Sequence, residues 1–450
     1  MNEPNGQITP EKKKKSPLKI ALTAIACVLA AALLFGAGFF VSRMTLDGGL
    51  RSLLWFKERI QSEYYEEISD EDFWQAAIDG VEDILDDYSC FYTAEEYDEV
   101  VNADRGVKDG VGLAFFANTN KIYKVAVASP AFYAQSASGE KAEAGMYLTG
   151  VGESAESVSD TFTASAVEAA LSSAGEGDAL TLRLSATAAD DTQNCIFLSV
   201  PFETYTESFV LYGTNAATYA MIFAGDKGTW QEVGGGMDGL NDGEGYIRLV
   251  QFTGNAAEEF AAAAEQYKAD GCDTLLLDLR NNGGGSLTVL QGIAAYLLKD
   301  ADADSVVMYA GDGEDREAYR MKGDGYDGVF GGSEIYVAAN GNTASASEAL
   351  IGAMLYYNTV DYEDIYLVKA GGGDSPARTY GKGIMQTTWR NLLTGEAVKL
   401  TTARIYWPDG ETCIQGRGVT SDDGAHRIDA ASNADYGDPA LLQILEDMRK

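Results

Sequence analysis

The sequence predicts an α/β core of crossover strand-helix units, preceded by one transmembrane helix, an N-terminal helical region and a small strand-rich domain. Three observations carry this prediction. An uncharged apolar run spans residues 20–41, the apolar period changes from helical to strand-like near residue 108, and from residue 246 strands and helices alternate regularly. With 450 residues, 46% hydrophobic content and only 8 prolines, the chain has material for several compact units.

The run at 20–41, at a rise of roughly 1.5 Å per residue, matches a hydrocarbon core of about 30 Å. Lys12, Lys13, Lys14, Lys15 and Lys19 precede it, and only Arg43 follows closely. The positive-inside rule therefore makes residues 1–19 a cytoplasmic basic tail and puts residues 45–450 outside. A cleaved signal peptide competes with the anchor, but the run exceeds the usual apolar length and lacks a clear small-x-small site in a polar context.

Residues 45–100 read as helical. Leu53, Phe56 and Ile60 share one face, and Ser69-Asp70-Glu71 starts a second helix carrying Phe73, Ala77, Val81, Ile84 and Leu85. Within 101–200 the segments 111–116, 123–127, 180–184 and 196–200 read as strands and 162–171 as a helix, which makes a separate small domain. Residues 201–245 read as a connector that ends in Gly234, Gly235, Gly236, Gly239, Gly243 and Gly245. No GxGxxG or GKS/T arrangement accompanies these glycines, so they make no nucleotide site. The unit at 246–430 runs strand 246–252, helix 255–270, apolar central strand 274–279, helix 287–298, strand 335–339 and helix 346–357. Residues 431–450 close the chain as a helix. Functional groups of such a fold gather where strands end and helices begin.

Composition narrows the chemistry. A net charge of -36 opposes nucleic acid and anionic lipid, which leaves the apolar run as the predicted membrane contact. Cys27 lies in that run, and Cys90, Cys195, Cys272 and Cys413 are far apart, so neither a zinc site nor a dense disulfide scaffold is expected. Two long-range disulfides and four buried thiols both fit. His426 is the single histidine. That excludes multi-histidine metal sites, and it excludes a Ser-His-Asp triad unless His426 is its base. No metal or other cofactor is expected.

Two strand-to-helix junctions are chemically unusual. In Asp278-Leu279-Arg280-Asn281-Asn282-Gly283-Gly284-Gly285 the glycines allow close approach and can turn successive N–H groups toward an anion; a plain tight turn is the bland reading. In Asn340-Gly341-Asn342-Thr343-Ala344-Ser345-Ala346-Ser347-Glu348 a serine stands at a helix start, in the field of the helix N-terminus. Ser345 with Glu348 three residues on is equally a capping box. A third segment, Tyr380-Gly381-Lys382-Gly383-Ile384-Met385-Gln386, carries a glycine-flanked lysine that serves as a base if burial or a nearby dipole lowers its proton affinity, or is an ordinary turn lysine.

In this order the three segments resemble the carboxyl-terminal processing peptidases, or tail-specific proteases, with their LDLRNN-GG, G-S/T-ASASE and GKGxxQ segments. The resemblance implies Ser345 as nucleophile, Lys382 as general base, Gln386 as a residue that helps hold the lysine, and backbone oxyanion donors at Ala346 and Gly284. It also implies a ClpP/crotonase-like peptidase core with an inserted PDZ-like domain. Leu85-Asp86-Asp87-Tyr88-Ser89 is similar to the family's LDPHS entry, with Asp87 and Tyr88 as substitutions. Gly110-Val111-Gly112-Leu113 resembles the PDZ ligand loop, and Ser129-Pro130-Ala131 resembles the middle of that domain. Leu400-Thr401-Thr402-Ala403-Arg404-Ile405-Tyr406 and Gly416-Arg417-Gly418-Val419-Thr420-Ser421-Asp422 are similar to the closing segments.

The departures are specific. Ala144-Gly145-Met146 stands where the PDZ domain has alanine-glycine-aspartate, and Ser421 stands where proline is usual. The interval from Ser345 to Lys382 is longer than in the family, with the excess expected in 356–377, including Gly371, Gly372 and Gly373. Lys369 is therefore a rival base. The expectation is a single-pass protein of a bacterial cell membrane, its catalytic part outside, acting on polypeptides near their C-termini, with a homo-oligomer left open. The alternatives are a catalytically weak PDZ-containing scaffold that binds polypeptide and a different serine hydrolase; neither a GxSxG elbow nor an SxxK pattern favours the latter.

Overall fold

The computed structural model describes residues 47–225, 227–313, 315–323, 329–370, 373–430 and 438–450. The expected basic tail and transmembrane helix, 1–41, lie outside the described residues, as do Gly371, Gly372 and the first part of the expected C-terminal helix. Among the described residues no helix is long and apolar enough to cross a membrane. The chain divides into two units at Leu85/Asp86.

The first unit holds the helices Gly48–Glu63 and Asp70–Glu82. Ser69 caps the second, its hydroxyl accepting from the Asp72 N–H at 3.0 Å, and Asp70, Glu71 and Asp72 complement the dipole of the first turn.

The second unit is built around an eight-stranded sheet in the order Lys227–Gly235, Ala217–Ala224, Val210–Gly213, Glu244–Leu249, Thr274–Asp278, Glu334–Asn340, Ile365–Ala370, His426–Ala430. From Glu244–Leu249 onward all pairs are parallel. The helices Ala256–Ala269, Leu287–Leu297 and Ala346–Tyr356 lie on the connections between these strands. Leu275, Leu276 and Leu277 are all fully buried, as a central strand covered on both faces requires. Because the strands run the same way, the loops after Asp278 and Asn340 leave the sheet at the same edge, in register through the Asp278–Ala338 pair.

The connector expected at 201–245 is replaced by three strands of this sheet, Val210–Gly213, Ala217–Ala224 and Lys227–Gly235. Its glycines act as space rather than as breaks. A Cβ on Gly228 would meet Met221 at 2.7 Å, and one on Gly234 would meet Thr218 at 2.6 Å, so neighbouring strand residues fill what the glycines leave.

A five-stranded sheet pairs Cys90–Tyr92, Ile384–Arg390 and Val306–Asp312 with Ala397–Tyr406, and adds Asp315–Arg320 at its end. The segment 107–206 forms small antiparallel sheets with the helices Pro130–Tyr133 and Ala164–Ser172. It has its own apolar cluster, which includes Val111, Ile122, Leu148, Leu182 and Leu198. Met146, the departure from the expected turn, is buried in that cluster. The chain closes on the helix Pro439–Asp447, which packs Leu441, Ile444 and Leu445 against Tyr246, Leu276 and Tyr366 of the large sheet.

Candidate active site

Ser345 stands between the Glu334–Asn340 strand and the Ala346–Tyr356 helix with φ 57° and ψ -115°. An ordinary N-cap serine is extended; this one is held in a region that costs a side-chain-bearing residue of order 1–3 kcal/mol. Gly284, at φ 96°, lies directly against it: a Cβ there would come within 2.7 Å of Ser345 Cβ and 2.8 Å of the Ala346 nitrogen. Asparagines tie the two junction loops together. Asn340 Oδ1 accepts from the Asn281 N–H at 3.0 Å, Asn342 Nδ2 donates to Asn281 Oδ1 at 3.0 Å, and the Asn282 carbonyl accepts from the Ala344 N–H and the Ser347 hydroxyl.

Glu348 joins these loops to the lysine segment. It is fully buried, and its Oε2 accepts from the N–H of Ser345 at 3.0 Å and from that of Lys382 at 2.9 Å. Oε1 accepts from the Gly381 N–H at 2.8 Å and from the Thr379 hydroxyl. Burial pushes this carboxyl up, and the four donors pull it back down. One side chain therefore fixes the backbone on both sides of the site. Sequence reasoning assigned Glu348 only a capping role, because its other partners lie more than thirty residues away.

The half-buried Lys382 amine sits 4.6 Å from the ring centre of Tyr88. Burial, and then the Lys399 charge, lower the proton affinity of Lys382, while Asp86 opposes them. Tyr88 bonds Tyr380 hydroxyl to hydroxyl at 3.0 Å; this bond and burial raise its phenol to about 12. Neither tyrosine, nor Lys399, carried a readable signal beyond the Tyr88 substitution in the entry segment. Among the described residues no hydrogen bond joins Ser345 Oγ to Lys382 Nζ.

Gln386 donates to Thr401 Oγ1 at 3.2 Å rather than to the lysine. The Gly284 N–H donates to Asn282 Oδ1 at 3.0 Å, whereas Ala346 opens its helix, where an N–H has no acceptor within the helix. The Lys369 amine binds the Gly373 and Ser375 carbonyls and the Ser375 hydroxyl. His426 stacks on Tyr366, ring centres 4.8 Å apart, on an edge strand of the large sheet. Gly110, Val111, Gly112 and Leu113 line a cavity of about 470 Å³ in the 107–206 segment, with Lys108 and Lys124 beside them. The four described cysteines are free thiols, and no cluster of metal-ligating side chains occurs among the described residues.

Residues 243–362, which hold the Asn281–Gly285 turn, Ser345 and Glu348, match the model of peptidase family S41. This stretch is similar to the S41 peptidases. The chain is 32% identical over 181 residues to a "Probable CtpA-like serine protease" of Staphylococcus haemolyticus, covering 40% of this chain and 33% of the relative. It is 33% identical over 206 residues to the "Carboxyl-terminal-processing protease" of Synechocystis, covering 45% and 43%. The matches thus span less than half the length of these relatives. The fold is similar to that in a crystal structure of a "Putative S41 protease" from Bacteroides fragilis, with a TM-score of 0.51, 12% identity and coverage of 88% of this chain and 97% of that one. Lys382 lies beyond the matched S41 stretch and is brought to it by Glu348.

Proposed function

We propose that the chain is a serine endopeptidase in which Ser345 is the nucleophile and Lys382 the general base. The observation that carries the reading is the buried Glu348 carboxylate, one oxygen of which accepts both the Ser345 and the Lys382 N–H. Neutral Lys382 takes the proton of Ser345 Oγ as that oxygen attacks a peptide carbonyl carbon. The Ala346 N–H faces the developing oxyanion; the Gly284 N–H joins it on exchanging its bond to Asn282. Collapse breaks the C–N bond, the lysine returns its proton to the leaving amine, and water attacks the acyl-enzyme through the same base.

The 107–206 segment is read as a PDZ-like domain whose 110–113 loop captures the C-terminal end of a polypeptide by strand addition. The cavity at that loop supports this reading; Lys108 and Lys124 beside it are paired with the buried Glu207. The expected anchor at 20–41 would hold the peptidase outside a cell membrane.

Cleavage of denatured casein should fall at least 100-fold in Ser345→Ala and Lys382→Ala, and remain within about threefold of the parent in Lys369→Ala. Equal cleavage by the parent, Ser345→Ala and Lys382→Ala would favour the polypeptide-binding scaffold instead. Loss in Lys369→Ala with retention in Lys382→Ala would reassign the base.

A further inference from the structure

The Lys382 amine is not bonded to the serine it is proposed to activate; it rests on the face of Tyr88, at 4.6 Å. The ring is in turn fixed through its hydroxyl, 3.0 Å from that of Tyr380, on the same loop as the lysine. An aromatic face attracts an ammonium through its quadrupole and has no comparable attraction for a neutral amine. Tyr88 is also one of the two positions where the entry segment departs from its LDPHS pattern.

Resting on the Ser345–Lys382 reading, we infer that Tyr88 is a positioning residue for the base: its ring holds Lys382 as a cation in the resting site and releases it on deprotonation. The other charged and titratable groups around the amine are Lys399 on the Ala397–Tyr406 strand, Asp86 ahead of Tyr88, and Tyr380. Glu348, on the helix side, engages the main-chain N–H of Lys382. Lys399 and burial favour the neutral amine, and Asp86 and the ring favour the cation. Losing the proton to solvent removes the attraction to the ring and leaves the lysine lone pair free to turn to Ser345 Oγ. The ring is thus a latch that opens in the direction catalysis needs.

The test varies ring electronics at constant shape. In the full-length chain, position 88 is replaced by phenylalanine and then by mono-, di- and trifluorinated phenylalanines, and kcat/KM on denatured casein is followed from pH 5 to 10. Fluorination weakens the negative face without changing burial appreciably, so the acid limb should move stepwise to lower pH, by about half to one unit over the series. A limb that stays in place, or moves to higher pH, overturns the role of Tyr88. Lys382→Ala separates the two readings. If it is inactive while the limb ignores fluorine, only the Tyr88 inference fails; if it retains full activity, the dyad fails and the inference with it.

Discussion

Ser345 is the residue at which local rules and tertiary structure disagree. Its sequence neighbourhood satisfies a capping box, and Glu348 does accept its N–H, yet its backbone is left-handed rather than extended. The strain is held by the loops around it, because Gly284 leaves no room on one side and the Asn282 carbonyl binds the Ala344 N–H on the other. Glycine adopts this conformation without penalty. Ser345→Gly should therefore be inactive yet at least as stable as Ser345→Ala, by about 1 kcal/mol in urea unfolding. A glycine variant less stable than the alanine variant would show that the left-handed turn is not under strain.

At the scale of elements, buried carboxylates do the joining. Glu259, on the Ala256–Ala269 helix, accepts through one oxygen from the Ser208 hydroxyl and the Phe209 and Val210 N–H groups, at 2.7, 2.7 and 2.9 Å. These residues link the 107–206 segment to the Val210–Gly213 strand of the large sheet. Burial raises this carboxyl to about 7 despite its three donors. A folded-state value above the unfolded one means that the native state holds the extra proton. The stabilisation is complete below the unfolded value near 4.5 and is lost as pH rises through about 7, a change of roughly 3 kcal/mol. The unfolding free energy of the parent should fall relative to that of Glu259→Gln between pH 5 and 8. Parallel pH profiles would place the Glu259 proton elsewhere.

At the scale of the molecule, the end of the chain is fastened to the centre of the sheet. Asp278 is 1% exposed; burial would raise its carboxyl, but the adjacent Arg280 guanidinium holds it below the usual range, and Tyr246 donates to it at 2.7 Å. Arg280 also binds Asp438, the N-cap of the final helix, at 2.7 Å. Arg280→Met leaves the Asp278 charge buried with only the Tyr246 hydroxyl and the main-chain N–H of residue 280 as hydrogen-bond donors, and should cost about 3–5 kcal/mol and loosen the final helix in hydrogen exchange. Unchanged protection of residues 439–447 would mean that apolar packing alone holds the helix. The arginine that in sequence belonged to a candidate anion turn is thus a fastening.

Alternation of strands and helices after residue 246 was legible in the chain because each element carries its own period, and Thr274–Asp278 could be placed at the centre because it has no polar face. Ser345 and Lys382 were legible as residues with unusual glycine-rich or small-residue neighbours. The strands at 210–235 were not, because glycines that break a chain in isolation are accommodated where a neighbouring strand supplies the side chains. Nor was the use of Glu348, Tyr88 and Lys399, whose partners are remote in sequence and are set by strand register and loop packing. Local periodicity in the chain suffices for the alternation after residue 246 and for the candidate groups Ser345 and Lys382; what surrounds and holds them is set by the fold, since burial, shared hydrogen bonds and ring contacts exist only once distant segments meet.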